Sequence, residues 1–230
     1  MVSKIDYGWL CLGLILLVVG HGWGLFYAPP EREMGEVYRI IFAHVPSAWM
    51  ALLCFTTTLV ASLIYLFRSS FKADAVAEAS AEVGVFFNVL CLLTGSIWGK
   101  PTWGVYWTWD PRLTTAAIMC IAFAGYLALR RFVDLPERRA SWSAVVAIII
   151  YADIPLVWFS VKWWNSLHQL QSSPKTVSPE MYWPLRIAAF GFLFLMIGFI
   201  RLRYHLAQVR QSVELAEPPE MAPMPKEIAA

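Results

Sequence analysis

The chain has 230 residues, 59% of them hydrophobic and 15% charged, with a formal net charge of +2. Its mean hydropathy of +0.57 is too high for an ordinary soluble domain, and so small a net charge points to no nucleic acid. What remains is an all-α, polytopic integral membrane protein.

A helix crosses the bilayer with about 20 apolar residues. Six such runs occur in order: Gly8 to Tyr27, Val45 to Phe67, Glu82 to Trp98, Leu113 to Phe132, Trp142 to Val161 and Pro184 to Arg203. Runs of helical spanning length argue against a β-barrel. The first is too long for a signal peptide and lacks a small-residue cleavage site, so a retained helix is expected. Residues 1–205 are predicted to form a six-helix membrane domain. Residues 206–230, rich in Pro, Glu and Ala from Gln211 onward, read as a flexible cytoplasmic tail. No internal repeat is visible.

Orientation follows from lysine and arginine. With the N-terminus inside, the inner segments hold Lys4, Arg68, Lys72, Arg130, Arg131, Arg138, Arg139, Arg201, Arg203, Arg210 and Lys226. The outer segments hold Arg32, Arg39, Lys100, Arg112, Lys162, Lys175 and Arg186. The excess on one side predicts cytoplasmic termini. The first, third and fifth connections then share the outer face.

The third connection is unusual. WGKPTWGVYWTWD, residues 98–110, holds Trp98, Trp103, Trp107 and Trp109, with Tyr106 among them. Gly99, Lys100, Pro101 and Gly104 predict that helix is broken through its first half. The segment from 98 to 112 therefore reads as an irregular, aromatic-faced outer loop suited to a flat, apolar, polarizable ligand. The competing reading is an interfacial Trp/Tyr belt, which ordinarily places one or two aromatics at a helix end.

The four cysteines, Cys11, Cys54, Cys91 and Cys120, each fall inside an apolar run and form no C-x-x-C or C-x-x-C-H motif. They read as buried thiols, which excludes a thiol oxidoreductase and a c-type cytochrome. Of the four histidines, His44 ends the first outer connection and His168 lies in the fifth. Both share a side with the tryptophan loop. Two neutral imidazoles flanking an aromatic platform would suit axial ligation of haem iron. His205 falls on the inner side and His21 lacks the loop context, so both read as ordinary hydrogen-bonded histidines.

Haem propionates want Arg or Lys near the interface. Arg39, Lys100, Arg112 and Arg186 are the outer candidates, although each could equally meet lipid phosphate. Asp110 could orient a loop amide, cap the fourth span or hold an arginine; Pro111 in the first-turn position favours the cap. Asp153 lies inside the fifth span, two residues before Pro155. It reads either as a functional intramembrane acid or as a local partner where the proline loosens the helix.

The pattern W-G-x-x-W-x-W-D at Trp103, Gly104, Trp107, Trp109 and Asp110 resembles the WWD signature of the haem-handling proteins of cytochrome c maturation. RIIFAHVPSAWM around His44 and SVKWWNSLHQ around His168 fit the same group. Length and six spans are similar to its haem exporter protein C family, with likeness from Tyr38 to about Phe199. Tyr106 stands where a relative carries another Trp, and keeps an aromatic face.

The resemblance implies a non-enzymatic subunit of the bacterial inner membrane. It would work beside the ATPase, membrane and small accessory subunits CcmA, CcmB and CcmD. It would hold b-type haem transiently and non-covalently at the periplasmic face and deliver it to the haem chaperone CcmE. On that resemblance His44 and His168 are the axial ligands, and Trp98, Trp103, Gly104, Trp107, Trp109, Asp110, Arg39 and Arg112 complete the site.

Two other classes stay open. A b-type membrane cytochrome would want a second histidine pair, which His21 and His205 do not supply. A haem permease subunit would want polar groups along the spans, where Asp153 is nearly alone. The chain has no G-x-x-x-x-G-K-[ST] with which to power transport itself.

Overall fold

The computed structural model describes residues 4–168 and 177–216. Among them the order is α1 (Lys4–Phe26), a 3₁₀ turn (Glu36–Ile40), α2 (Ile41–Arg68), α3 (Phe71–Trp103), α4 (Pro111–Phe132), α5 (Pro136–Tyr151), α6 (Asp153–Trp163) and α7 (Pro179–Ala216). No strand forms among the described residues. Six segments are long and apolar enough to cross a membrane, the fifth being α5 and α6 together.

Sequence sets most of the joints. Ser69, in a left-handed conformation at φ 48°, closes α2, and the Ser70 side chain accepts from the Ala73 N–H to open α3. Asp110 caps α4 with Pro111 in its first turn. Pro155 has no N–H for the Tyr151 carbonyl, and the fifth span breaks at Ala152. Asp153 begins α6 there, its Oδ2 buried without a hydrogen-bond partner among the described residues.

In lipid no hydrophobic force drives helix against helix, so close approach and polar contacts do it. Helix α1 lies along α7 through glycines. A Cβ on Gly20 would meet the Ala188 backbone nitrogen at 2.5 Å, and one on Gly191 the Leu17 nitrogen at 2.8 Å. Helix α2 pairs with α3, α4 packs on α6, and α5 rests against α2 and α4. Phe55 stacks on Phe123 with centroids 3.8 Å apart at the centre, with Phe87 and Phe192 beside them.

Three departures from the sequence reading bear on packing and on the site. First, α3 begins at Phe71, well before Glu82. The added turns are alanine-rich, which favours helix, and carry Asp74 and Glu78, both buried. Arg130 donates to both Asp74 oxygens at 2.7 Å and to Glu78 at 3.0 Å.

Second, the predicted flexible stretch from 206 onward is helical to Ala216. Gln211 donates to Asp74 at 2.8 Å, Arg210 pairs with Glu78, and Arg139 pairs with Glu214. These contacts are tertiary and leave no trace in the local pattern. The rest of the predicted tail, 217–230, lies outside the described residues. Third, α3 continues to Trp103, so the irregular part of the tryptophan segment is only 104–110.

Candidate functional site

The tryptophan segment is built in two parts. Its first half is helical although Pro101 has no N–H for the Ile97 carbonyl; the proline stands in the last turn of α3, so the helix loses one bond just before it ends. Thr102 donates to the Trp98 carbonyl. Gly99 lies under the Trp103 indole, where a Cβ would come within 3.2 Å of the ring. Gly104, at φ 81°, ends the helix and donates its N–H to the Lys100 carbonyl at 3.0 Å. From there the chain crosses to the Asp110 cap.

Beneath this crossing is a cavity of about 150 Å³ walled by α2, α3, α4 and α6. Trp98, Trp103 and Trp107 line it, together with Gly95, Gly99 and Ala116. Its enclosed space is below the roughly 300–1,000 Å³ of a typical small-molecule pocket. A ligand larger than that must lie partly outside.

His44 and His168 both line the cavity, their ring centroids 6.3 Å apart at an interplanar angle of 32°. His44 is buried. Its Nδ1 lies 3.1 Å from the Cys91 carbonyl and 3.1 Å from Thr94 Oγ1. The Thr94 hydroxyl donates to the Leu90 carbonyl at 2.7 Å, so toward His44 it accepts. Both contacts therefore want the proton on Nδ1, which leaves Nε2 with its lone pair. Trp98 meets the same imidazole edge-on at 5.6 Å, and Trp103 approaches His168 at 6.4 Å.

Asp110 does more than cap α4. Its Oδ1 accepts from the Arg112 N–H at 2.9 Å and from Ser166 Oγ at 3.0 Å, and its Oδ2 from the Leu167 N–H at 2.7 Å. Two of its sequence alternatives, cap and loop-amide acceptor, are thus realised together.

The basic candidates divide. Arg112 lines the cavity, and its Nη1 is buried without a hydrogen-bond partner among the described residues. Arg39 is engaged elsewhere, donating to the Gly24 and Ala28 carbonyls at the end of α1 and pairing with Glu36. Lys100 reaches the Gly104 carbonyl at 2.9 Å and Arg186 lies over the Tyr182 ring. Trp109 is 81% exposed, meets Trp107 edge-on at 6.0 Å and does not line the cavity.

Of the other histidines, His21 bonds the Leu17 carbonyl and packs between Phe42 and Phe192. His205 sits beside Tyr204 on α7, away from the cavity. The connection between α1 and α2 adds Met34 to the lining. N–H groups of Met34 and Glu33 hold the Glu31 carboxyl below its usual range.

Thr94, the Cys91 carbonyl, Gly95 and Ser166 are absent from the sequence-derived set. Only Ser166 had a local signal. A serine two residues before a histidine can accept from its backbone N–H, as Ser166 Oγ does from His168 at 3.1 Å.

A family model, heme exporter protein C, matches residues 2–217. The chain belongs to the heme exporter protein C family. A relative of that name from Bradyrhizobium diazoefficiens is 36% identical over 209 residues, covering 89% of this chain and 78% of its own. Those from Escherichia coli K12 and Haemophilus influenzae are each 35% identical. They cover 85% and 88% of this chain, and 80% and 84% of their own lengths.

Crowding around His44 makes one prediction. A Cβ on Gly95 would stand 2.9 Å from His44 Cε1. Gly95→Ala should therefore push the imidazole off its seat while the protein still folds, and weaken retention of a ligand held on that imidazole by roughly 10-fold, the loss typical when an outer partner of a metal-bound histidine is removed. Titration of haem into the purified variant checks it; wild-type retention would mean that the ring is free to move.

Proposed function

We propose that this protein holds haem as cargo for cytochrome c maturation, between His44 and His168, under the tryptophan loop. The observation that carries the reading is the 6.3 Å separation of the two imidazoles. Metal–nitrogen bonds of about 2 Å on opposite sides of one ion put two ring centroids roughly 6 Å apart. The residues present suit the rest of the cargo. Trp98, Trp103 and Trp107 offer apolar faces to the macrocycle. The unpartnered Arg112 Nη1 offers a propionate a charge-assisted bond. The iron supplies the ligation chemistry; the chain supplies a fixed Nε2, aromatic walls and a cation. A visible spectrum of the purified membrane protein, with and without His44, tests the reading.

Delivery to a periplasmic haem chaperone, CcmE, is the second half of the proposal, in company with CcmA, CcmB and CcmD. Family membership and the exposed Trp109 and Tyr106 support it. The two indoles divide the work, Trp107 facing the cavity and Trp109 facing outward. Trp107→Ala should weaken haem retention by about 1–3 kcal/mol. Trp109→Ala should leave retention intact and reduce haem-dependent co-purification with the chaperone more than Trp183→Ala does. Equal loss of co-purification at Trp109 and Trp183 would reduce the outer aromatics to a membrane belt.

The basic-residue excess supports cytoplasmic termini in the bacterial inner membrane, with the cavity periplasmic. A topology reporter fused after Ala216 should read cytoplasmic and one fused after His168 periplasmic. The reverse pattern would invert the assignment.

A further inference from the structure

We infer that Asp110 is a positioning residue that latches the segment carrying His168 to the tryptophan loop, setting the second iron ligand from the far side of the cavity. The inference rests on the proposed ligation by His168. Its structural content is independent of it.

His168 ends a stretch that has left α6 at Trp163, so no helix of its own orients it. Asp110, only 6% exposed, holds that stretch. Oδ2 accepts from the Leu167 N–H at 2.7 Å; Oδ1 accepts from Ser166 Oγ at 3.0 Å. Ser166 Oγ in turn accepts from the His168 N–H at 3.1 Å. The N–H groups of two consecutive residues are thus fixed by one carboxylate, directly and through one hydroxyl. Bonds to an ionised acceptor are the strong kind. The same carboxylate caps α4 through the Arg112 N–H, so the latch is anchored in a membrane-spanning helix. A capping aspartate needs one oxygen, and Asp110 employs its second on the His168 segment.

This division lets cap and latch be separated. Asn caps a helix as well as Asp does. In Asp110→Asn the amide keeps most by leaving its oxygen at the Oδ1 position, where it serves both Arg112 and Ser166. Its NH₂ then confronts the Leu167 N–H, donor against donor. Ser166→Ala breaks the other arm and leaves the cap untouched. Ser166→Thr restores the hydroxyl.

Two measurements decide the matter. In the haem-free protein, hydrogen exchange in 164–168 should be about 10-fold faster in Asp110→Asn and Ser166→Ala, normal in Ser166→Thr, and unchanged in the first turn of α4. In the haem-loaded protein, Asp110→Asn should shift the visible spectrum toward that of His168→Ala. The double variant should shift it no further than His168→Ala alone. Wild-type exchange at 164–168 in both variants would overturn the latch. So would faster exchange confined to the start of α4, which would leave Asp110 only a cap. If His168→Ala leaves the spectrum unchanged, ligation by His168 fails, and the exchange result decides the latch by itself.

Discussion

His44→Ala should remove most of the bound haem, and His168→Ala should retain more of it with a shifted spectrum. The difference follows from how each ring is held. His44 is buried, with its Nδ1 tied to the Cys91 carbonyl and Thr94, so its Nε2 is presented at no further ordering cost. Losing an outer partner of a metal-bound histidine typically costs 10- to 100-fold in affinity, and losing the ligand itself should cost about as much or more. His168 is half-buried on a segment after α6, so added imidazole should reach its place and restore the spectrum of His168→Ala. His44→Ala should resist such rescue, because the hole lies behind Trp98 and Gly95. His205→Ala, at the other end of the bundle, should behave as wild type. A wild-type spectrum and stoichiometry in both cavity variants would end the ligation proposal and leave only the aromatic walls in its support.

What was legible in the sequence tracks what is local. Six apolar runs became six spans because length and hydropathy alone decide whether a helix can cross. Alternation of sides placed His44 and His168 at one end, and their rings do meet there. Arg39 and Arg112 looked alike as outer cations. Only the fold shows one folded back on the end of α1 and the other turned into the cavity with an unpartnered nitrogen. The helical course of Gly99 to Trp103 was likewise hidden. Glycine and proline read as breakers until Trp103 is seen packed over Gly99 at the last turn of a helix. The cap at Asp110 was readable from Pro111, but its hold on Leu167, 57 positions along the chain, was not. The same holds for the start of α3, where Asp74 and Glu78, acids that look solvated, are sequestered by Arg130.

That Arg130 cluster should dominate stability. Arg130 has a 2% exposed side chain and Asp74 a 4% exposed one, joined by two parallel bonds of 2.7 Å. Removing one member of a buried pair typically costs about 3–5 kcal/mol, because the other is left as an uncompensated buried charge. Arg130→Met strips Asp74 of both its bonds from arginine and leaves it only the Gln211 amide, while Glu78 keeps Arg210. A loss of about 3–5 kcal/mol is expected, read as an earlier thermal transition of the purified protein. Arg203 is 45% exposed where it pairs with Glu82, so Arg203→Gln should cost no more than about 1 kcal/mol. Asp74→Asn combined with Arg130→Met should recover part of the loss, since no buried charge then lacks its partner at that position. Equal transitions in Arg130→Met and Arg203→Gln would mean that the cluster is solvated and structurally idle. Helix α3 has 33 residues and is therefore about 50 Å long; it starts in this cluster and ends under the tryptophan loop. The portion of Arg130→Met that stays folded should nonetheless bind haem with a wild-type spectrum, because the seat of His44 is built from the far end of the same helix, at Cys91, Thr94 and Gly95.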